Sequence, residues 1–300
     1  NDINDSPVIT SASSFSANEN QTNVGTASAT DEDGDALSYS LSGADAASLT
    51  VDASSGELSF SSAPDYETKS FYSITLIVSD GNLSSSQDLI ITITNLNDNA
   101  PIITSAAILN ADENQTVVDT ITASDADNNS LTFSISGTDS NDLNIDENTG
   151  ALTFNVAPDY ESKTSYALTV NVSDGTLSDT QALIISVINI NDNTPMITSE
   201  SNFSVDENQT DVATAAYSDA DGAVGTYAFS LSGTDASALA INSSTGVITF
   251  TSAPNYEVKN SYSVTVRIDD GLFFASKQIM ININDINDSP VITSASSFSA

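Results

Sequence analysis

The chain repeats itself, and that confines the fold to a string of small, similar domains. Pro7, Pro101, Pro195 and Pro290 stand 94, 94 and 95 residues apart. Each closes a linker rich in Asn and Asp: NDINDSP, NLNDNAP, NINDNTP and DINDSP. Within each period the same short words return in the same order. ENQT begins at Glu19, Glu113 and Glu207. Asp-x-Asp follows at Asp31/Asp33, Asp125/Asp127 and Asp219/Asp221. P-(D/N)-Y-E starts at Pro64, Pro158 and Pro254, and Asp-Gly ends a long apolar alternation at Asp80, Asp174 and Asp270. The third period carries two extra residues after its Asp-x-Asp. A larger unit lies above these periods, because residues 1–17 recur identically at 284–300. The chain therefore reads as a window on a longer tandem array, with no signal peptide at its start and no apolar run long enough to span a membrane.

Each period reads as all-β. Short Val/Ile/Thr/Tyr/Phe segments are separated by Gly, Ser, Asp and Asn. The clearest alternation is Tyr72, Ile74, Leu76, Val78, matched by Tyr166, Leu168, Val170, Val172 and by Tyr262, Val264, Val266, Ile268. At period 2 these residues share one face and form the core. Seven strands are expected in the first period, near 7–10, 24–29, 37–42, 49–52, 57–60, 70–79 and 87–94. Seven short strands in about 94 residues predict a Greek-key, immunoglobulin-like β-sandwich. The expected organisation is a linker at 1–6, repeats at 7–100, 101–194 and 195–289, and the start of another at 290–300.

Composition narrows the chemistry. Five Lys and Arg face 41 Asp and Glu, a net charge of −36, with no His, Cys or Trp. No basic patch can form for nucleic acid or anionic lipid. Without His or Cys there is no Ser-His-Asp triad, cysteine nucleophile or ordinary zinc site. Any metal must be hard and oxygen-bound. D-E-D-G-D at Asp31–Asp35 starts like an EF-hand loop, but its glycine is misplaced and position twelve is Ser42. Asp65 and Glu67 could pass for a glycosidase pair. They recur in every period, whereas an enzyme needs one cleft, so no catalysis is expected.

Strand parity places the acidic words. With the first strand running downward, ENQT, P-D-Y-E and the linker fall at the lower end of a repeat, and Asp-x-Asp and Asp-Gly at the upper end. The first junction then gathers Glu19, Asp65, Glu67 and Asp98 with Asp125, Asp127 and Asp174. The second gathers Glu113, Asp159, Glu161 and Asp192 with Asp219, Asp221 and Asp270. Seven carboxylates in one joint repel unless cations lie among them. Ca²⁺ accepts six to eight oxygens in flexible geometry, whereas Mg²⁺ demands tight octahedra. About three Ca²⁺ would neutralise most of each joint.

The set E-N, D-x-D, D-Y-E, S-D-G and N-x-N-D-N-x-P, in this order and at this period, resembles the cadherin repeat, over three whole repeats and the start of a fourth. The resemblance implies that the carboxylates above are calcium ligands, that Asn97 and Asn191 bind through side-chain oxygens, and that Asn99 and Asn193 bind through backbone carbonyls. It implies partial sites at the ends: Asn4, Asp31, Asp33 and Asp80 at one, and Glu207, Glu257, Asp285 and Asp288 at the other. The linker's first position, usually Asp in cadherins, is Asn95 and Asn189 here, which removes a charge and weakens the outermost calcium. Asn255 replaces the Asp of D-Y-E in the third repeat, and the Trp used for strand exchange in some animal cadherins is absent. Asp45, Asp139 and Asp235 are read as structural, and the Tyr of D-Y-E as a packing residue.

The expected function is a calcium-stiffened extracellular array for cell-surface adhesion or display, whose partners are calcium and neighbouring repeats. Homophilic or filament self-association, and a module binding surface glycans or proteins, are the alternatives. The lean, Cys-free composition resembles large bacterial surface adhesins. Asn20, Asn114 and Asn208 lie in N-Q-T sequons beside a calcium ligand, which also favours a bacterial source.

Overall fold

The computed structural model describes residues 3–222 and 224–291. It shows three β-sandwiches in tandem. Among the described residues the only helix is one short 3-10 turn per repeat, and none is long and apolar enough to cross a membrane. In the first repeat the strands are β1 (Val8–Ile9), β2 (Ser14–Asn18), β3 (Asn23–Thr26), β4 (Ala29–Thr30), β5 (Ser38–Ser42), β6 (Leu49–Val51), β7 (Glu57–Phe60), β8 (Phe71–Ser79) and β9 (Ser84–Thr94). One sheet has the order β2-β9-β8-β5, the other β3-β7-β6, and β1 pairs separately with β4. The corresponding strands of the second and third repeats have the same order.

The alternation in β8 forms the core as expected. Ile74, Leu76 and Val78 are buried, and face the buried β9 residues' side of the same sheet, Leu89, Ile91 and Ile93. Leu49, Leu58 and Phe60 of the second sheet complete the cluster, with Tyr66 and Tyr72 packed against it. Each such burial contributes roughly 1.5–3 kcal/mol. Outward residues pair across strands instead, as when Thr75 Oγ1 donates to Asp88 at 2.8 Å. The third repeat repeats this cluster around Ile248, Val266, Ile268, Ile279 and Ile281.

The expected first strand, 7–10, accounts for only part of what forms. The chain leaves β1 at Ser11 and crosses to the other sheet, where β2 runs parallel to β9 from Ser14↔Ile90 to Asn18↔Thr94. The segment 14–18 lacks a β-branched run, so its strand comes from the exposed edge of β9 rather than from propensity. The expected second strand also breaks in two, with a register shift between Asn23 and Gly25. At the next hairpin Gly56 holds φ +74°, and a Cβ there would lie 2.4 Å from the Ala27 carbonyl oxygen, which only glycine avoids.

Asp45 is structural. Its carboxylate accepts from Lys69 Nζ and from the Ser73 amide at 2.8 Å, and its own amide donates to the Ser73 carbonyl. The Lys69 bond, then the Ser73 amide, hold its pKa below the ordinary carboxylate range. Asp235 has the same arrangement with Lys259 and Ser263. A folded pKa below the unfolded one stabilises above the unfolded value, near pH 4, and that contribution is lost as pH falls through the folded value. Asp45→Asn is therefore expected to cost about 1–2 kcal/mol at pH 7. In thermal melts at pH 2 the difference from wild type should vanish.

The described chain divides into two compact units. The first holds the residues up to Leu109, with Val118–Thr153 and Ala167–Ile184. The second holds Asn110–Val117, Phe154–Tyr166 and the described residues from Ile185 onward. The acidic residues of the first junction all fall in the first unit, and those of the second junction in the second. The expected further repeat lies, beyond Val291, outside the described residues.

Candidate metal centres at the repeat junctions

In the first unit Glu19 ends the turn after β2. Its carboxylate is 1% exposed, and it accepts from the Tyr66 amide at 2.8 Å and the Leu96 amide at 2.7 Å. One side chain thus ties the D-Y-E loop to the linker. The turn forms because Asn20 adopts φ 61°, a conformation Asn tolerates well, and its side chain donates to Asp98. Glu19, Glu67, Asp98 and Asp127 each bring one oxygen within 4.8 Å of all the others. Asp127 sits at the centre. Its Oδ2 accepts from the amides of Asp98 and Asn99, at 3.0 and 2.9 Å, and its Oδ1 from the Asn99 side chain at 3.0 Å.

This packing perturbs the acids in opposite directions. Partial loss of water, then the charges of Glu19 and Asp127, push the Glu67 pKa up. Burial also pushes Asp127 up, but the Asn99 and Asp98 donors outweigh it, and the result is lowered. At Asp174 burial is likewise outweighed by the Leu177 and Thr176 amides, both donating at 2.6 Å to Oδ1.

A second group of oxygens in the same unit has no partner. Asn97 Oδ1, Asp125 Oδ2 and Asp174 Oδ2 are buried and unbonded, as is Asn95 Oδ1. Buried oxygens without donors cost about 1–3 kcal/mol each, more when charged. Three of these oxygens come from residues singled out by sequence, and the set suits a hard cation; Asn129 Nδ2, a donor, is also buried and unbonded in the same unit. Ca²⁺ would be held there by carboxylate and amide oxygens, supplying the positive charge the acids lack.

The second unit repeats the pattern. Glu113, also 1% exposed, accepts from the Tyr160 and Ile190 amides, each at 2.8 Å. Glu113, Glu161 and Asp192 form the compact acidic group. Asp221 accepts from the amides of Asp192 and Asn193, at 3.1 and 2.8 Å. Burial and the neighbouring Glu113 and Asp221 push Glu161 up. Asn191 Oδ1, Asp219 Oδ2 and Asp270 Oδ2 are again buried and unpartnered, with Asn189 Oδ1.

At the ends, Asp31 and Asp33 form an acidic group with Asp35, and Asn4 donates to Asp80 at 3.0 Å. Glu207 and Glu257 group with Asp285. Asp35 was absent from the expected ligands. Its spacing two residues beyond Asp33 was the available signal. Among the expected residues, Asp65, Asp159 and Asp288 stand outside the groups. Asp65 and Asp159 turn to their own loops, accepting from Thr68 and from Ser162 and the Glu161 amide, and these bonds lower their pKa values. Asp288 is exposed and joins no acidic group.

The linker asparagines read differently in the structure. Asn95 Nδ2 donates to the Asp127 carbonyl at 3.1 Å, and Asn189 Nδ2 to the Asp221 carbonyl at 3.1 Å. Each Oδ1 is left free among the unpartnered oxygens. The substitution removes a charge but keeps an oxygen in place.

Three sandwiches with acidic, oxygen-lined junctions define a class of tandem β-repeat. The chain belongs to the cadherin family: the cadherin domain model matches residues 13–94, 105–188 and 201–284. Human protocadherin Fat 4 is 31% identical over 224 residues, covering 70% of this chain and 4% of that protein. The wing polarity protein stan of Drosophila melanogaster, described as protocadherin-like, is 29% identical over 325 residues, covering 96% of this chain and 9% of its own length. The chain thus spans under a tenth of these relatives. Among solved structures, mouse cadherin-23 EC22–24 superposes with a TM-score of 0.65 at 20% identity, covering 95% of this chain and all of that one. Mouse clustered PcdhgC3 EC1–3 gives 0.72 at 20% identity, covering 91% and 99%. These likenesses show the sandwich fold. The sequence relatives are animal proteins, and they lend no support to the resemblance to bacterial adhesins or to a bacterial source.

Proposed function

We propose that this chain is a calcium-binding segment of an extracellular adhesion array, in which Ca²⁺ at each junction couples one repeat to the next. The observation that carries this reading is the matched set of buried, unpartnered oxygens: Asn97, Asp125 and Asp174 in one unit, and Asn191, Asp219 and Asp270 in the other. Beside each lies an acidic group closed by a buried glutamate. About three ions per junction match the charge there. Asp65 and Asp159 would join by exchanging their hydroxyl bonds for the ion, and Asn99 and Asn193 through their carbonyls. The partial groups at the chain ends bind more weakly, since half of each ligand set belongs to a neighbouring repeat.

Bound ions hold linker and both repeats through shared ligands, so the array stiffens. Small-angle scattering tests this. The maximum dimension and the persistence of the profile should rise on adding millimolar Ca²⁺ and fall again with chelator. Superimposable profiles would reject the coupling role. Homophilic contact between arrays, as an adhesive function, follows only once the array is rigid.

A further inference from the structure

The two junctions are built alike but closed differently. In the first unit Asp174 is half-buried. In the second its counterpart Asp270 is 1% exposed. The third repeat also carries two extra residues after its Asp-x-Asp. Thr226 donates its amide to the Asp270 carbonyl at 3.0 Å, and among the described residues no amide of the first junction donates to the Asp174 carbonyl in the equivalent way. Gly225 lies directly on the same place. With φ +108°, a Cβ there would come 2.6 Å from the Asp270 carbonyl oxygen and 3.0 Å from Asn191 Nδ2. Tyr227 fixes the segment from behind. Its hydroxyl donates to the Gly222 carbonyl at 2.6 Å, and its ring packs on Tyr217 at 4.8 Å.

Beneath this cover lie three unpartnered oxygens, Asn191 Oδ1, Asp219 Oδ2 and Asp270 Oδ2. Resting on the calcium reading above, we infer that Gly225, Thr226 and Tyr227 enclose the cation position at Asp270, so that the second junction releases this ion more slowly than the first releases its counterpart at Asp174. An ion under the cover cannot exchange a ligand for water until the segment lifts, whereas Asp174, whose Oδ2 is also buried but whose other atoms are partly exposed, has no such backbone bond over it among the described residues. The chain therefore carries one long-lived ion and one fast-exchanging one at otherwise equivalent positions.

Stopped-flow mixing of the Ca²⁺-loaded chain with a fluorescent chelator tests this. Release should be multiphasic, with one ion leaving at least about tenfold more slowly, the factor given by ~1.4 kcal/mol of added barrier. Asp270→Asn should remove that phase and Asp174→Asn should leave it. Gly225→Ala, whose Cβ cannot fit, should merge the slow phase with the rest. Tyr227→Phe, which removes only a hydroxyl, should speed it while leaving the faster phases unchanged. Equal release rates for the two positions, or a slow phase indifferent to both loop variants, would overturn the inference. A chain that carries no Ca²⁺ into the mixer would instead reject the calcium reading itself.

Discussion

Chelating calcium is expected to lower the melting temperature of this chain by at least about 10 °C. A single ion present at about a hundred times its dissociation constant adds ~2.7 kcal/mol to the folded state. In a domain of this size each kcal/mol moves the midpoint by roughly 4–8 °C. The physical source is the buried oxygens of Asn97, Asp125 and Asp174 and their counterparts, which have no hydrogen-bond donor. Magnesium at equal concentration should restore less, because it dehydrates reluctantly and needs a tighter octahedron than these dispersed ligands supply. Calorimetric scans in calcium, magnesium and chelator decide the matter. Coincident scans would mean that the acids are merely solvated.

Glu19→Ala is expected to be the most damaging single change at the first junction. Two buried amides, those of Tyr66 and Leu96, lose their acceptor. Each costs about 1–3 kcal/mol when left unsatisfied. Against this, removing one of four crowded carboxylates relieves repulsion, and that relief counts only when no cation is bound. The loss should therefore be about 2–6 kcal/mol in calcium and clearly smaller in chelator. Denaturant titrations under both conditions measure it. A loss independent of calcium would show that Glu19 acts as a loop tie alone. Glu113→Ala should behave the same way in the second unit, since its bonds to Tyr160 and Ile190 match.

Much of this was legible in the sequence, for identifiable reasons. The Tyr72–Val78 alternation survives in β8 because period 2 and burial agree there. The junction acids stand out in the sequence because their words recur at fixed spacing. The structure shows that repetition alone does not say what each acid does. Asp65 and Asp159 carry the same letter as Asp125 and Asp219, yet they are engaged by hydroxyls three residues on. Local hydrogen bonds of that kind depend on turn geometry, which spacing does not encode. The role of Asn95 was hidden for a similar reason. Its amide has two ends, and only the Asp127 carbonyl decides which faces inward. The strand at 14–18 was missed because it owes its existence to a partner some seventy residues away. The enclosure of Asp270 was foreshadowed only as two surplus residues, with nothing in their identity to indicate direction.

That late-found strand has a mechanical consequence. In the first repeat β2 follows the short β1 and β9 leaves the repeat, and the two run side by side in the same direction across five paired residues. Tension on the ends of the first repeat would drag these strands past one another along their length. Their hydrogen bonds then share the load and must fail together, whereas an antiparallel pair pulled from one end would peel open bond by bond. A repeat wired in this way is expected to resist stretching beyond what its modest core would suggest.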